Sequence, residues 1–157
     1  IEIPRGEWGG LIPSLCQNSA HQNLEIRMAS LQTLGYICEE LSTEDVSAEY
    51  KNQIMIALTN SISSTEESVQ TCKLAVKALL HSVPYTSQNF TVQAERDYIM
   101  LKVFEALKNN DSEVRENAMQ VLVEVGRQEY EFVEFYFQQI AEATAHAARN
   151  DQSKVGA

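Results

Sequence analysis

Proline and glycine are scarce in this chain, three and six among 157 residues. That scarcity lets long helices run with few interruptions. No apolar run approaches the roughly 18 residues that a membrane-spanning helix needs, so membrane insertion is not expected. Cysteine is also sparse: Cys16, Cys38 and Cys72 are odd in number, far apart and each set in an apolar pattern. They read as small core residues of a reducing compartment, which leaves neither a disulfide framework nor a zinc site. Basic residues are outnumbered, 12 against 22 acidic ones, giving a formal charge of −10 and a pI near 4.7. Such a surface repels phosphate backbones, so no nucleic-acid partner is expected. The same charge attracts basic partners, and it equally serves solubility alone.

The motifs of catalysis are missing as well. His21, His81 and His146 stand far apart with no Cys or carboxylate at ligand spacing. There is no phosphate-binding GxxxxGK[ST], no Gly-rich loop after a strand, and no GxSxG. The adjacent acids Glu39-Glu40 and Glu66-Glu67 read as solvated residues near helix ends. The expectation is a protein that is not an enzyme and carries no metal and no cofactor. The opening Ile1-Glu2-Ile3-Pro4 has neither an initiator Met nor the regions of a signal peptide, and the chain stops in mid-pattern at Lys154-Val155-Gly156-Ala157. Both ends are read as those of a fragment.

What is present is a repeat. Segments starting at Ile26, Cys72 and Val114 can be stacked, each opening with an apolar residue followed by Arg27, Lys73 or Arg115. Four positions on comes Ser30, Val76 or Ala118; eight on, Leu34, Leu80 or Leu122; eleven on, Ile37, Val83 or Val125. Those offsets keep one helical face apolar, and the small position lets a neighbouring helix approach closely. A fourth copy is expected to begin at Asp151-Gln152-Ser153-Lys154-Val155, by likeness to Asp111-Ser112-Glu113-Val114. The spacing of about 41–46 residues lies in the range of HEAT and armadillo repeats and exceeds that of tetratricopeptide or ankyrin units. Lys77 is the misfit, standing where the other copies have Leu31 and Met119.

Partner helices are predicted over Trp8–Gln17, Tyr50–Ser63, Thr91–Lys108 and Glu131–Arg149, with turns at Pro84-Tyr85-Thr86-Ser87 and Asn109-Asn110. Ser64-Thr65-Glu66-Glu67 reads as a capping box, and Asp111 as a helix cap. The fold expected is all-α: a right-handed α-solenoid of stacked HEAT-type helical hairpins, about three and a half repeats in one unit. Approximate repeats are 5–44, 48–86, 88–128 and a truncated 130–157. Arg27, Lys73 and Arg115 are expected to pair with acids across neighbouring repeats.

Two stretches carry a more specific likeness. Leu31-Gln32-Thr33-Leu34-Gly35-Tyr36-Ile37-Cys38 is similar to an LxxLGYxC motif, and Glu95-Arg96-Asp97-Tyr98-Ile99-Met100-Leu101-Lys102-Val103 to an ERxxxMQVV motif, of the importin-β family of nuclear import karyopherins. Ile3-Pro4-Arg5-Gly6-Glu7-Trp8, Lys73-Leu74-Ala75 with Ala78-Leu79-Leu80, and Asn89-Phe90 add collinear matches over nearly the whole chain. The resemblance points to the family's fourth to sixth repeats and the start of the seventh. It implies a transport receptor working between cytoplasm and nucleus and at the nuclear pore. The implied partners are nucleoporin phenylalanine-glycine (FG) repeats, basic cargo or an importin-α adaptor, and Ran-GTP. A structural HEAT scaffold of a phosphatase or chromosome-associated complex is the alternative reading, and a regulatory subunit of an enzyme a distant third.

The resemblance also implies a nucleoporin pocket between the first helices of two neighbouring repeats, with Met55, Ile56 and Thr59 on one wall and Glu95, Tyr98 and Ile99 on the other. A second, related pocket would centre on Tyr136. Thr59 and Tyr98 stand where the family tends to have Ile and Phe, which makes this pocket more polar. On residue pattern alone Met55 and Ile99 read as core, while Tyr98 and Tyr136 suit a boundary, each having a polar tip. Apolar surfaces around Trp8 and Tyr136 are expected to be exposed and to promote self-association.

Overall fold

The computed structural model describes residues 8–40, 46–63 and 69–155. Among these the regular structure is helical: α1 (Trp8–Asn18), α2 (Leu24–Glu40), α3 (Ala48–Ser61), α4 (Val69–Ser82), α5 (Ser87–Thr91), α6 (Gln93–Leu107), α7 (Ser112–Gln128), α8 (Tyr130–Val133) and α9 (Phe137–Val155). Short 3-10 turns at Val83–Tyr85 and Glu134–Tyr136 precede α5 and α9. The helices pair as hairpins, α1 with α2, α3 with α4, and α6 with α7. The hairpins stack so that α2, α4 and α7 form one row and α1, α3, α6 and α9 the other. This is the expected α-solenoid.

The repeat positions explain the stack. Ser30, Val76 and Ala118 are all buried, as are Ile37, Val83 and Val125. Leu34 and Leu122 are buried, and Leu80 packs against the core from its edge. Cys72 and Val114 are fully buried, but the equivalent Ile26 is 37% exposed. Lys77 points to solvent where Leu31 is buried, so the misfit residue lies outside the core. Together the apolar residues make one continuous core running from Ile12 to Ala143.

Helix starts are set by side-chain caps. Asn23 Oδ1 accepts from the amides of Glu25 and Ile26 at 2.8 and 3.4 Å. Asp111 Oδ1 does the same for Glu113 and Val114 at 3.0 and 3.2 Å, and Ser47 Oγ accepts from Tyr50 N at 3.3 Å. The Ser64–Glu67 capping box lies outside the described residues. Pro13 sits inside α1, where it cannot donate to the carbonyl of Gly9 four residues back. The hydroxyl of Tyr50 on α3 donates to that carbonyl instead, at 3.3 Å, so the defect in one helix is repaired by the next hairpin.

The two arginines that follow the repeat anchors each hold a turn of their own hairpin. Arg27 Nη1 donates to the carbonyls of His21 and Gln22 at 2.8 and 2.9 Å. Arg115 Nη1 donates at 2.9 Å to the carbonyls of Asn109 and Asn110, which stand at the same offsets. Each guanidinium closes the turn inside its own hairpin, where carbonyls would otherwise lack donors. Lys73 behaves as expected: its Nζ lies 3.0 Å from Asp111 and 3.2 Å from Glu113 on the next repeat.

Three helix boundaries differ from the sequence reading, and the first is that the helix expected over Glu131–Arg149 is broken into α8, a 3-10 turn and α9. The helix expected over Thr91–Lys108 begins two residues later, at Gln93, because Val92 has an extended backbone (φ −89°, ψ 111°) that separates it from the short α5. The β-branched pair Thr91-Val92 disfavours a continuous helix there, and the fully buried ring of Phe90 pins α5 to the core. The fourth repeat start at Asp151 does not break the chain, since α9 runs unbroken to Val155. Asp111 follows Asn109-Asn110 and its turn is closed by Arg115, whereas no proline or glycine interrupts the stretch around Asp151.

All three cysteines are free thiols. Cys38 and Cys72 are buried and Cys16 is partly so. Burial pushes the thiol of Cys16 up to about 11 and that of Cys38 up to about 12, and raises that of Cys72. They are packing residues held in the thiol form.

Candidate functional site

The first helices of the second and third hairpins, α3 and α6, pack side by side. Ile56 and Tyr98 face outward along this seam, 51% and 41% exposed. The reason is helical phase: Met55 and Ile99, one residue away, take the core-facing positions at 3% and 2% exposure. Thr59, at 1% exposure, bonds its hydroxyl to the carbonyl of Met55 at 2.7 Å. Of the six residues expected to wall one pocket, Ile56, Tyr98 and Glu95 are therefore accessible, while Met55, Thr59 and Ile99 are buried in the core.

Polar groups fix both ends of the seam. The Tyr98 hydroxyl donates to Asn60 Oδ1 on α3 at 2.8 Å. Lys102 Nζ sits 5.7 Å from the centre of the Tyr98 ring while bonded to Glu105 at 2.9 Å. At the other end Asn89 Nδ2 donates to Glu95 Oε2 at 2.7 Å and to Asn52 Oδ1 at 2.9 Å. The result is an exposed aliphatic–aromatic pair, Ile56 and Tyr98, between two polar contacts that hold α3 and α6 together. Asn52, Asn60 and Asn89 were not singled out as partners from sequence. Nothing local marks the bonds between α3 and its neighbours, because Asn52 and Asn89 stand 37 positions apart and Asn60 and Tyr98 38.

The groove between α6 and α9 is lined by Gln93, Asp97, Leu101, Phe104, Phe135 and Tyr136 among others. Tyr136 does not sit at its boundary. It is only 8% exposed, packs beside Phe104 at 6.4 Å between ring centres, and donates its hydroxyl to Asp97. Arg96 Nε donates to the same hydroxyl at 3.2 Å. Burial, and then the Asp97 carboxylate, raise this phenol above its ordinary value. Arg96 lies over the rings of Phe132 and Phe135, at 4.4 and 5.6 Å, and donates to the carbonyl of Phe90 at 2.9 Å. The accessible aromatic rings here are Phe135 and Phe137, 63% and 72% exposed, on either side of Tyr136.

On the opposite face a third groove runs between α2 and α4, with Gly35 and Ala78 among its lining and Tyr36, Lys77, Glu39 and His81 around them. Among the described residues no cluster of His, Cys, Asp and Glu could hold a metal ion, and no helix is long and apolar enough to cross a membrane.

The HEAT repeat family model matches residues 11–41. Importin subunit beta-1 of Arabidopsis thaliana is 35% identical over 155 residues, 99% of this chain and 18% of that protein. Its counterpart in Saccharomyces cerevisiae is 33% identical over 141 residues, 88% of this chain and 16% of that protein. The solved structure of yeast importin-beta (Kap95p) superposes with a TM-score of 0.79 at 33% identity, covering 88% of this chain and 16% of that one. A chain of the Kap95:Nup1 complex superposes with a TM-score of 0.78 at 32% identity, covering 91% of this chain and 17% of its own. The chain thus spans less than a fifth of the length of the relatives it matches. Sequence motifs, repeat length, stacked hairpins and collinear identity agree: the chain belongs to the importin-β family and corresponds to a segment of its HEAT-repeat solenoid.

Proposed function

We propose that this segment belongs to a nuclear transport receptor and that the α3–α6 seam binds FG motifs of nucleoporins. One observation carries the reading: Ile56 and Tyr98 stand exposed on two packed helices that the Tyr98–Asn60 hydrogen bond ties together, with Met55, Thr59 and Ile99 buried at neighbouring positions. A phenylalanine ring resting on that pair would exchange water for apolar contact, worth on the order of 2–3 kcal/mol if fully buried. Glu95 would accept a main-chain N–H of the same peptide. Such a contact is weak alone and gains strength through repetition along a disordered partner. The groove beside Tyr136 is the second such site, with Phe135, Leu101 and Asp97 as its accessible walls. The Kap95:Nup1 complex, formed by a relative of matching fold, supports a nucleoporin as partner.

In the full-length receptor, basic cargo or an importin-α adaptor and Ran-GTP would meet the row of second helices. The formal charge of −10 favours their approach. The protein would shuttle between cytoplasm and nucleus through the nuclear pore.

The test is a titration of the chain with an FG peptide, followed by chemical-shift changes. Saturable shifts should appear around Ile56, Tyr98 and Glu95, and should be lost in a folded Tyr98→Ala variant. An absence of shifts at millimolar peptide would remove the seam as a nucleoporin site.

A further inference from the structure

We infer that Asn89 is a positioning residue for the seam, holding the Glu95 carboxylate so that its free oxygen can accept the main-chain N–H of a bound peptide. This rests on the seam being the peptide site. Asn89 lies on α5 and is only 2% exposed, so it does not touch a ligand itself. One amide group, Nδ2, serves both Glu95 Oε2 on α6 at 2.7 Å and Asn52 Oδ1 on α3 at 2.9 Å. The reverse orientation of the amide would set its oxygen against the Glu95 carboxylate, so that partner fixes the donor assignment.

Stability alone does not account for an asparagine here. Its Oδ1 is buried and accepts no hydrogen bond from the chain. A buried acceptor without a donor is unfavourable, and an apolar residue would avoid the penalty. The platform does not depend on the amide either. Phe90 is fully buried, its carbonyl accepts from Arg96 at 2.9 Å, and Gln88 Nε2 donates to the Ala48 carbonyl at 3.0 Å. What the asparagine adds is restraint on Glu95, a long exposed side chain that would otherwise be ordered only on binding. With Oε2 held, Oε1 is left to face the peptide.

The ligand chemistry that follows is an aromatic side chain beside an unblocked main-chain amide. Glycine presents that amide without a side chain to obstruct it; an ester or proline in its place removes the N–H. The experiment compares an FG peptide with an analogue whose amide following phenylalanine is an ester. The native chain should bind the amide peptide roughly three- to tenfold more tightly. Asn89→Ala and Glu95→Ala should each bring that ratio towards one, and the double variant should lower it no further. Should Asn89→Ala fail to fold, Asn89→Asp keeps the shape, removes the donor and should give the same loss. An Asn89 variant that keeps the native ratio, or weakens both peptides equally, overturns the positioning role while leaving the seam as the peptide site. If the native chain binds neither peptide, the seam reading falls and the inference falls with it.

Discussion

At the scale of single residues, neighbours in the chain divide their duties by helical phase. Met55 and Ile56 are both large and apolar, yet one is 3% exposed and the other 51%. Truncating Met55 to Ala should lower stability by about 2–4 kcal/mol through the cavity it leaves. Truncating Ile56 should change stability by less than about 0.5 kcal/mol. Urea unfolding of the two variants checks this, and a large loss for Ile56→Ala would mean that its side chain is buried. The core half of this division was legible, since Met55 and Ile99 fit the apolar pattern. Tyr136 was harder: its polar tip suggested a boundary, but Asp97 and Arg96 satisfy the hydroxyl inside the fold. Those partners lie about 40 residues earlier, a separation that periodicity does not report.

At the scale of the element, the start of α7 is a small electrostatic device. Asp111 caps α7 and takes Lys73 from the preceding repeat. The hydrogen bond from Lys73 is the main cause of its lowered pKa, with help from the amides of Val114 and Glu113. A carboxylate whose folded value is lowered contributes stability above its unfolded value, near 3.8, and loses it as pH falls through the folded one. Asp111→Ala should therefore lower stability at neutral pH by about 1 kcal/mol through the lost cap. The difference from the native chain should shrink as pH drops below about 4, and thermal melts between pH 3 and 7 would reveal a pH-independent gap if the account is wrong. The caps and turns at Asn109–Asp111 could be read from residue type alone. The arginine turns could not, because only the folded turn brings the accepting carbonyls within reach of Arg27 and Arg115. Both ends of the third partner helix were close to expectation, but the short α5 ahead of it was not legible, because the break at Val92 depends on where Phe90 packs.

At the scale of the whole molecule, the exposed aromatics gather towards one end. Tyr130, Phe135 and Phe137 are 71%, 63% and 72% exposed, together with Val123 at 50%. Rings this open favour association, so light scattering should show a mass rising with concentration, and Phe137→Ser should reduce it. A mass that stays monomeric at every concentration would reject the idea. The side chain of Trp8 lies outside the described residues, and Tyr136 is buried, so the patch is built from the neighbours of the tyrosine and not from the tyrosine. The two helix rows also differ in how they meet. In the row α2–α4–α7 a methyl added at Gly35 would lie 3.6 Å from that of Ala78, an ordinary contact between small groups. In the other row the contacts named at the α3–α6 seam are hydrogen bonds between side chains, which water can replace. The first row therefore acts as the spine of a book and the second as the fore-edge of its pages. Flexing of the stack would keep the spine closed and fan the fore-edge, so the width of the α3–α6 seam would change with the bend.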